Sequence, residues 1–115
     1  MKKKVLTVCN GGNCRSPALA EVLKGNFSCD AIAIGTYWTQ PGTMRMLCEW
    51  ADIIAPVEPR DAKLPEPDLG FWRASPLWEY SSKIRIARVG PDIWGHAKAE
   101  ALRAHCRAIA PELLA

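Results

Sequence analysis

The chain has 115 residues, of which 49% are hydrophobic and 23% are charged. This balance is typical of a globular protein and excludes a disordered chain, so we expect a single domain over residues 1–115. The net charge is +3, and three of the positive charges lie in the run of lysines at positions 2–4. Since the rest of the chain is nearly neutral, we interpret this run as solvated and expect no nucleic-acid partner.

The apolar run after these lysines, residues 5–8, is too short to form the core of a signal peptide. No stretch of the sequence has the length and apolar character of a membrane span. We therefore expect a cytoplasmic protein with no membrane partner, and nothing in the sequence specifies an oligomeric state.

The number and spacing of the cysteines restrict what the thiols do. The five cysteines, at positions 9, 14, 29, 48 and 106, are odd in number and include no pair separated by two residues. His96 and His105 have no acidic or thiol partners at metal-ligand spacing. We therefore expect no disulfide framework, no metal site and no cofactor, and we look instead for a reactive thiol.

The first predicted elements are a strand and a helix joined by a glycine-containing turn. Residues 5–8 form a short apolar run that stops before Gly11 and Gly12, which predicts a buried strand. Ser16 suits the N-cap of a helix and Pro17 suits its first position, because the missing N–H is not needed there. Gly25 is then a natural stop for this helix.

Strands and helices continue to alternate along the chain. We predict further strands over residues 31–34, 53–57 and 84–89, a helix with Met44, Leu47, Cys48 and Ala51 on its apolar face, and a final helix from about His96 to Pro111 with Leu102, Cys106 and Ile109 buried. Residues 60–82 fit no element and are interpreted as a long loop. Such alternation predicts an α/β fold with a parallel sheet covered by helices on both faces.

The candidate reactive and phosphate-binding residues lie in and beside the turn between the first strand and the first helix. Cys9 and Arg15 are separated by five residues, enough to wrap a tetrahedral oxyanion with backbone N–H groups turned inward. The positive end of the helix and the planar guanidinium both suit a phosphate, and both favour a nucleophilic thiolate. We predict that Cys9 is the nucleophile, although a buried structural cysteine is the alternative. The predicted phosphate-binding residues of the turn are Asn10, Gly11, Gly12, Asn13, Cys14 and Ser16, and Ser16 is also placed to hydrogen-bond Cys9.

The sequence of residues 8–21, with Cys9, Arg15, Ser16 and Pro17 in order, resembles the opening of the low-molecular-weight protein tyrosine phosphatases. Residues 34–38, 50–58 and 90–94 resemble later parts of the same family. The resemblance implies a flavodoxin-like three-layer fold with a four-stranded parallel sheet flanked by helices. It also implies a phosphomonoesterase that forms a cysteinyl-phosphate and acts on a phosphorylated substrate, a phosphotyrosine protein. Gly12 stands where the family usually has Asn.

The resemblance also implies roles for three residues outside the turn. Asp92 corresponds to the general acid, since it lies in a loop of the family's acid type, although a turn residue is the alternative. Ile93 stands where the family has proline after the acid. Trp38 and Trp94 are expected to line the mouth of the site and bind substrate, with core packing as the alternative for each.

Two other functions fit the same turn. An arsenate reductase of this fold passes electrons through further cysteines, but Cys48 and Cys106 do not form the close pair that this relay needs. A phosphate-binding adaptor without turnover is the second alternative. Cys14 is in addition a candidate partner for Cys9 in a reversible, protective disulfide.

Overall fold

The computed structural model describes residues 2–9, 14–57, 77–90 and 93–115. The strands are β1 (Lys4–Cys9), β2 (Asp30–Gly35) and β3 (Ile53–Pro56). The helices are α1 (Arg15–Phe27), α2 (Pro41–Trp50), a 3₁₀ helix (Leu77–Lys83) and α3 (Glu100–Leu114). In these ranges no helix is both long and apolar enough to cross a membrane.

The sheet is parallel, with strand order β2-β1-β3. Helices α1 and α2 each connect one strand to the next, and β1 therefore lies at the centre. Its last residue, Cys9, is in register with Gly35 of β2, and Val8 is in register with Pro56 of β3. This order is that of flavodoxin-like sheets, in which ligands bind at the carboxyl ends of the strands. The predicted α/β class and parallel sheet are confirmed.

The predicted fourth strand, residues 84–89, is only partly formed. Ile84 makes a single parallel bridge to Ile54, and Arg85 N–H and Ala87 N–H donate to the carbonyls of Ile54 and Pro56 at 2.9 and 2.8 Å. Pro56 turns its carbonyl toward this segment but has no N–H to donate in return. One bond of a regular ladder is therefore missing, and the segment follows β3 without becoming a strand.

Two apolar clusters lie on opposite faces of the sheet. Alternate residues of β1 point to opposite faces, so Val5 and Cys9 belong to one cluster and Leu6 and Val8 to the other. Helices α1 and α3 complete the first cluster, chiefly with Leu19, Leu23, Leu102 and Cys106. Helix α2 and the 3₁₀ helix complete the second, with Met44, Cys48 and Leu77. The three-layer arrangement is thus confirmed.

Helix α1 differs from its predicted boundaries at both ends. It begins at Arg15 with Cys14 as N-cap, and the Ser16 hydroxyl makes no capping bond because it is used elsewhere. At the other end the helix passes through Gly25 and ends at Ser28, which takes a left-handed conformation with φ 56°. The predicted stop at Gly25 is therefore wrong.

Helix α3 is displaced from its predicted range. It begins at Glu100, and Pro111 lies inside it, so Pro111 does not end it. The last turn is stabilised because Leu113 is buried against the core. On the apolar face Ala110 is fully buried, whereas the predicted Ile109 is only half-buried.

The observed end of α1 leads to a prediction about stability. A Cβ added at Gly25 meets no atom within 4 Å, so Gly25→Ala should raise the free energy of unfolding by about 1 kcal/mol. Ser28→Gly should raise it by about 1 kcal/mol as well, because glycine adopts a left-handed conformation without strain. Urea denaturation of the two variants measures both effects. Loss of stability in Gly25→Ala would mean that the helix ends at Gly25.

Two buried thiols give the fold a dependence on alkaline pH. Burial raises the pKa of Cys48, and likewise that of Cys106, from 9.0 to about 11. Between these values the thiols ionise in the unfolded chain but stay neutral in the fold, so stability falls as pH rises from about 9 to about 11. Each thiol should cost about 2 kcal/mol at pH 10.5.

Urea denaturation at pH 8 and pH 10.5 measures this effect. Cys48→Ala should lose less stability between the two pH values than the unaltered protein does, by about 2 kcal/mol. Cys106→Ala should behave in the same way from the opposite face of the sheet. The assignment is wrong if all three proteins lose the same amount.

Candidate active site

Cys9 lies at the carboxyl end of the central strand and is only 3% exposed. Its carbonyl accepts a hydrogen bond from Thr36 N–H at 3.0 Å, and the preceding carbonyl, of Val8, accepts one from Val57 N–H at 2.9 Å. Both neighbouring strands therefore fix the backbone from which the Cys9 thiol projects. A group that emerges here lies at the sheet edge where parallel α/β folds bind ligands.

Ser16 contacts the Cys9 thiol directly. Its Oγ lies 3.0 Å from Cys9 Sγ and donates a bond of 3.2 Å to the carbonyl of Ile34. A hydroxyl has a single proton, so the bond to Ile34 requires the thiol to act as donor toward Ser16. A thiolate has no proton to donate, and Ser16 must then turn its own proton to the sulfur. The predicted contact is confirmed, and this hydroxyl can serve both states of Cys9.

A residue that the sequence reasoning missed fixes the start of α1. Thr7 is fully buried, and its hydroxyl donates a bond of 2.8 Å to the carbonyl of Ser16. This bond ties the first turn of the helix to the strand that carries Cys9. The sequence contains a signal for this role, because Thr7 is a polar residue within the apolar run of residues 5–8. Thr7 and Cys9 are two positions apart and therefore lie on the same face of the strand.

Arg15 is the first residue of α1 and is buried, with 3% of its surface exposed. Its Nη1 donates a bond of 2.8 Å to the carbonyl of Gly90. Gly90 has φ 85°, a conformation that favours glycine, and its N–H donates to Val57 at 3.1 Å. The guanidinium is thus oriented by a backbone group of the segment beside β3. Since a guanidinium has five N–H donors, this bond is compatible with phosphate binding by the same group.

The two tryptophans lie in different environments. Trp38 follows β2 and is 74% exposed, and its ring meets that of Tyr37 edge to face at 4.7 Å. Trp94 is half-buried, packs against the core beneath α1 and α3, and stacks on His105 with ring centroids 5.6 Å apart. Core packing is therefore observed for Trp94, and substrate binding by either ring remains a prediction.

The other predicted site residues divide into two groups. Cys14 is described: it is 7% exposed, and as N-cap of α1 its carbonyl accepts a bond from Ala18 N–H at 3.1 Å. Five residues lie outside the described ranges, and their roles remain predictions; they are Asn10, Gly11, Gly12, Asn13 and Asp92.

The described residues contain neither a disulfide nor a group of side chains that suits a metal ion. All five cysteines lie in described ranges, and none of them forms a disulfide. Within those ranges no three side chains of His, Cys, Asp or Glu form a group that suits a metal ion. The Ser16 hydroxyl contacts the buried Cys9 thiol, and the buried Arg15 belongs to the same first turn of α1 as Ser16.

Comparison with known proteins identifies the fold. No protein-family model matches the sequence, and no curated protein matches it significantly. Among solved structures, the YwlE arginine phosphatase from Geobacillus stearothermophilus is similar with a TM-score of 0.66 and 14% identity, over 96% of this chain and 90% of that one. The tyrosine phosphatase Wzb from Escherichia coli K30, solved in complex with phosphate, gives 0.64 and 14%, over 97% and 96%.

A third similar structure is a low molecular weight protein tyrosine phosphatase from Streptococcus pyogenes. Its TM-score is 0.62 and its identity 20%, over 98% of this chain and 94% of that one. These three structures are matched along almost their whole length, in spite of the low identities. The chain therefore has the fold of the low-molecular-weight phosphatases, a three-layer fold whose central strand here ends in Cys9.

The Ser16 contact leads to a test of thiol reactivity. Ser16→Ala removes the hydrogen bond available to a Cys9 thiolate, and a bond to a charged group contributes about 1.5–3 kcal/mol. Alkylation of Cys9 by iodoacetamide at neutral pH should therefore slow by about 10-fold or more, as followed by mass spectrometry of the Cys9 peptide. Ser82→Ala, an exposed serine of the 3₁₀ helix, is the matched control. Equal rates in both variants would contradict the assigned role of Ser16.

Proposed function

We propose that this protein is a cysteine-dependent phosphomonoester hydrolase of the low-molecular-weight protein tyrosine phosphatase family. One observation carries the proposal: Cys9 Sγ lies at the end of the central strand, 3.0 Å from Ser16 Oγ, and Arg15, the residue before Ser16 at the start of α1, is buried. A thiol, a hydrogen-bond donor for its anion and a fixed positive charge are what a phosphate-attacking nucleophile requires.

In the first step the Cys9 thiolate attacks the phosphorus of a phosphate monoester. The S–P bond forms as the ester P–O bond breaks, and the departing oxygen takes a proton from the Asp92 carboxyl. Arg15 binds two of the phosphate oxygens and stabilises the charge that develops on them. Because Arg15 is almost fully shielded from water, its interaction with those oxygens is stronger than at the surface.

In the second step a water molecule attacks the cysteinyl-phosphate. Asp92, now a carboxylate, takes a proton from this water as the O–P bond forms and the S–P bond breaks. Inorganic phosphate and the Cys9 thiolate are the products, and Ser16 again donates its hydroxyl proton to the sulfur. Since Arg15 and the start of α1 supply the positive charge, we expect turnover to be insensitive to EDTA and inhibited by vanadate.

The Arg15 contact supports the assignment of Asp92. Arg15 binds the carbonyl of Gly90, and Asp92 follows Gly90 by two residues in the sequence. The carboxyl therefore belongs to the segment that meets the phosphate-binding residue. A turn role for Asp92 is the alternative, and the leaving-group test below distinguishes the two.

We propose a phosphotyrosine protein as substrate and a cytoplasmic location, with residues 1–115 forming one phosphatase domain. Of the three solved structures named above, two are tyrosine phosphatases and one is an arginine phosphatase, so the fold alone does not select tyrosine. The exposed ring pair of Tyr37 and Trp38 supports an aromatic substrate, because it follows Gly35, the register partner of Cys9. Aromatic rings stack favourably on such a surface.

Arsenate reduction is not favoured. A relay would have to link Cys9 to a close pair of further cysteines, yet Cys48 and Cys106 lie on opposite faces of the sheet. The similar structures named above are phosphatases. A protein that binds phosphate but hydrolyses no ester is the other alternative, and measurement of turnover distinguishes it from a phosphatase.

Turnover of p-nitrophenyl phosphate tests the proposal. Cys9→Ser should abolish turnover because it removes the nucleophile, and Arg15→Ala should lower kcat/KM by about 10²-fold or more because it removes charge stabilisation. Arg45→Ala, which alters an exposed arginine paired with Glu79, is the matched control and should retain full activity. Full activity in Cys9→Ser would refute the mechanism, and phosphate binding without turnover in the unaltered protein would indicate the adaptor.

The role of Asp92 is tested by varying the leaving group. Phenol has a pKa of about 10, so phenyl phosphate needs the acid, whereas the phenolate of a strongly electron-withdrawn aryl phosphate leaves readily as an anion. Asp92→Asn should lower kcat/KM by about 10²–10⁴-fold for phenyl phosphate and much less for the activated ester. Equal losses for the two esters would assign Asp92 a structural turn instead.

A further inference from the structure

One side chain of α3 contacts the segment of residues 88–94 on both sides of Gly90. His105 Nε2 lies 2.9 Å from the carbonyl of Arg88, and since a carbonyl only accepts, the imidazole donates this bond. The same ring stacks on Trp94, with centroids 5.6 Å apart and planes inclined by 24°. His105 therefore touches the chain two residues before Gly90 and four residues after it.

Gly90 is the residue through which this segment meets the proposed site. Its carbonyl accepts the 2.8 Å bond from Arg15 Nη1, and its N–H donates to the carbonyl of Val57 at 3.1 Å. A displacement of Gly90 would rotate the Arg15 guanidinium and so move the donors intended for phosphate. The position of Gly90 thus determines where the Arg15 guanidinium lies.

On the far side of Gly90, the described residues Ile93 and Trp94 show how this part of the chain is held. Ile93 is 74% exposed, so its own burial stabilises the segment little. The indole Nε1 of Trp94 is buried and has no hydrogen-bond partner in the part of the chain that is described. Packing on the core and stacking on His105 are the contacts that keep Trp94 in place.

We propose that His105 is a positioning residue that holds residues 88 and 94 and thereby fixes Gly90 and the Arg15 guanidinium. Its contacts with Arg88 and Trp94 act together, because each restrains one side of Gly90. The effect on catalysis rests on the proposed phosphatase function, whereas the effect on the segment does not. Replacement of His105 should increase the mobility of Gly90. The guanidinium of Arg15 should then be less well oriented, and phosphate binding should weaken.

Three substitutions at His105 separate its two contacts. His105→Phe keeps a ring for Trp94 but loses the donor to Arg88, His105→Gln keeps a donor but loses the ring, and His105→Ala loses both. The matched control is His96→Ala, an exposed histidine between Trp94 and α3. The control should behave as the unaltered protein in every measurement.

Hydrogen exchange followed by NMR tests the restraint itself. The Gly90 amide should exchange about 10-fold faster in His105→Ala, and by smaller factors in the Phe and Gln variants. Amides of the central strand, such as Leu6, should be unchanged in all variants, which separates local loosening from general destabilisation. An unchanged Gly90 rate in His105→Ala overturns the proposal, whatever the protein catalyses.

Steady-state kinetics with p-nitrophenyl phosphate tests the consequence for the site. His105→Ala should lower kcat/KM by about 10-fold, with KM raised because Arg15 binds phosphate less well, and the Phe and Gln variants should recover part of the loss. Faster exchange with unchanged kinetics overturns the positioning role. If the unaltered protein hydrolyses no phosphate ester, the proposed function fails, and the exchange rates alone then decide whether His105 holds Gly90.

Discussion

The site depends on how closely the end of β1 and the start of α1 are held together. Five residues separate Cys9 from Arg15, and the two elements are tied by the Cys9–Ser16 contact and by the bond from Thr7 to the Ser16 carbonyl. These contacts place the thiol at the first turn of a helix, where unsatisfied N–H groups and the helix dipole favour an anion. A longer or looser connection would separate the sulfur from this environment.

The sequence predicts this unit well because its signals are local. An apolar run and then Ser16 and Pro17 specify the strand and the helix within about 20 residues, and the Cys9–Ser16 contact follows from them. The predicted turn between them lies outside the described residues. The hydrogen-bond partners of Arg15 and His105 could not be predicted from the sequence. Both side chains donate to backbone carbonyls, those of Gly90 and Arg88, and every residue has such a carbonyl whatever its side chain. The start of α1 was mispredicted for a related reason: the Ser16 hydroxyl bonds to Ile34 and Cys9, which are distant in sequence, and does not cap the helix.

Residues 84–90 lie beside β3 and connect the edge of the sheet to Arg15. Because Pro56 lacks an N–H, residues 84–89 pair only partly with β3, and this leaves the chain able to turn at Gly90 with φ 85°. The turn brings a carbonyl to Arg15 at 2.8 Å. His105 of α3 donates a hydrogen bond to the carbonyl of Arg88 and so attaches this part of the chain to the helix. Fold stability and site geometry therefore depend on the same few bonds.

The proposed function depends on transfer of phosphate to the sulfur of Cys9. This transfer is tested by mixing the protein with an activated aryl phosphate, quenching within milliseconds, and locating the phosphate by mass spectrometry of peptides. We expect a transient phosphate on Cys9 that decays as inorganic phosphate is released, and none in Cys9→Ser. Release of phosphate with no labelled cysteine, or with the label on another residue, would contradict it.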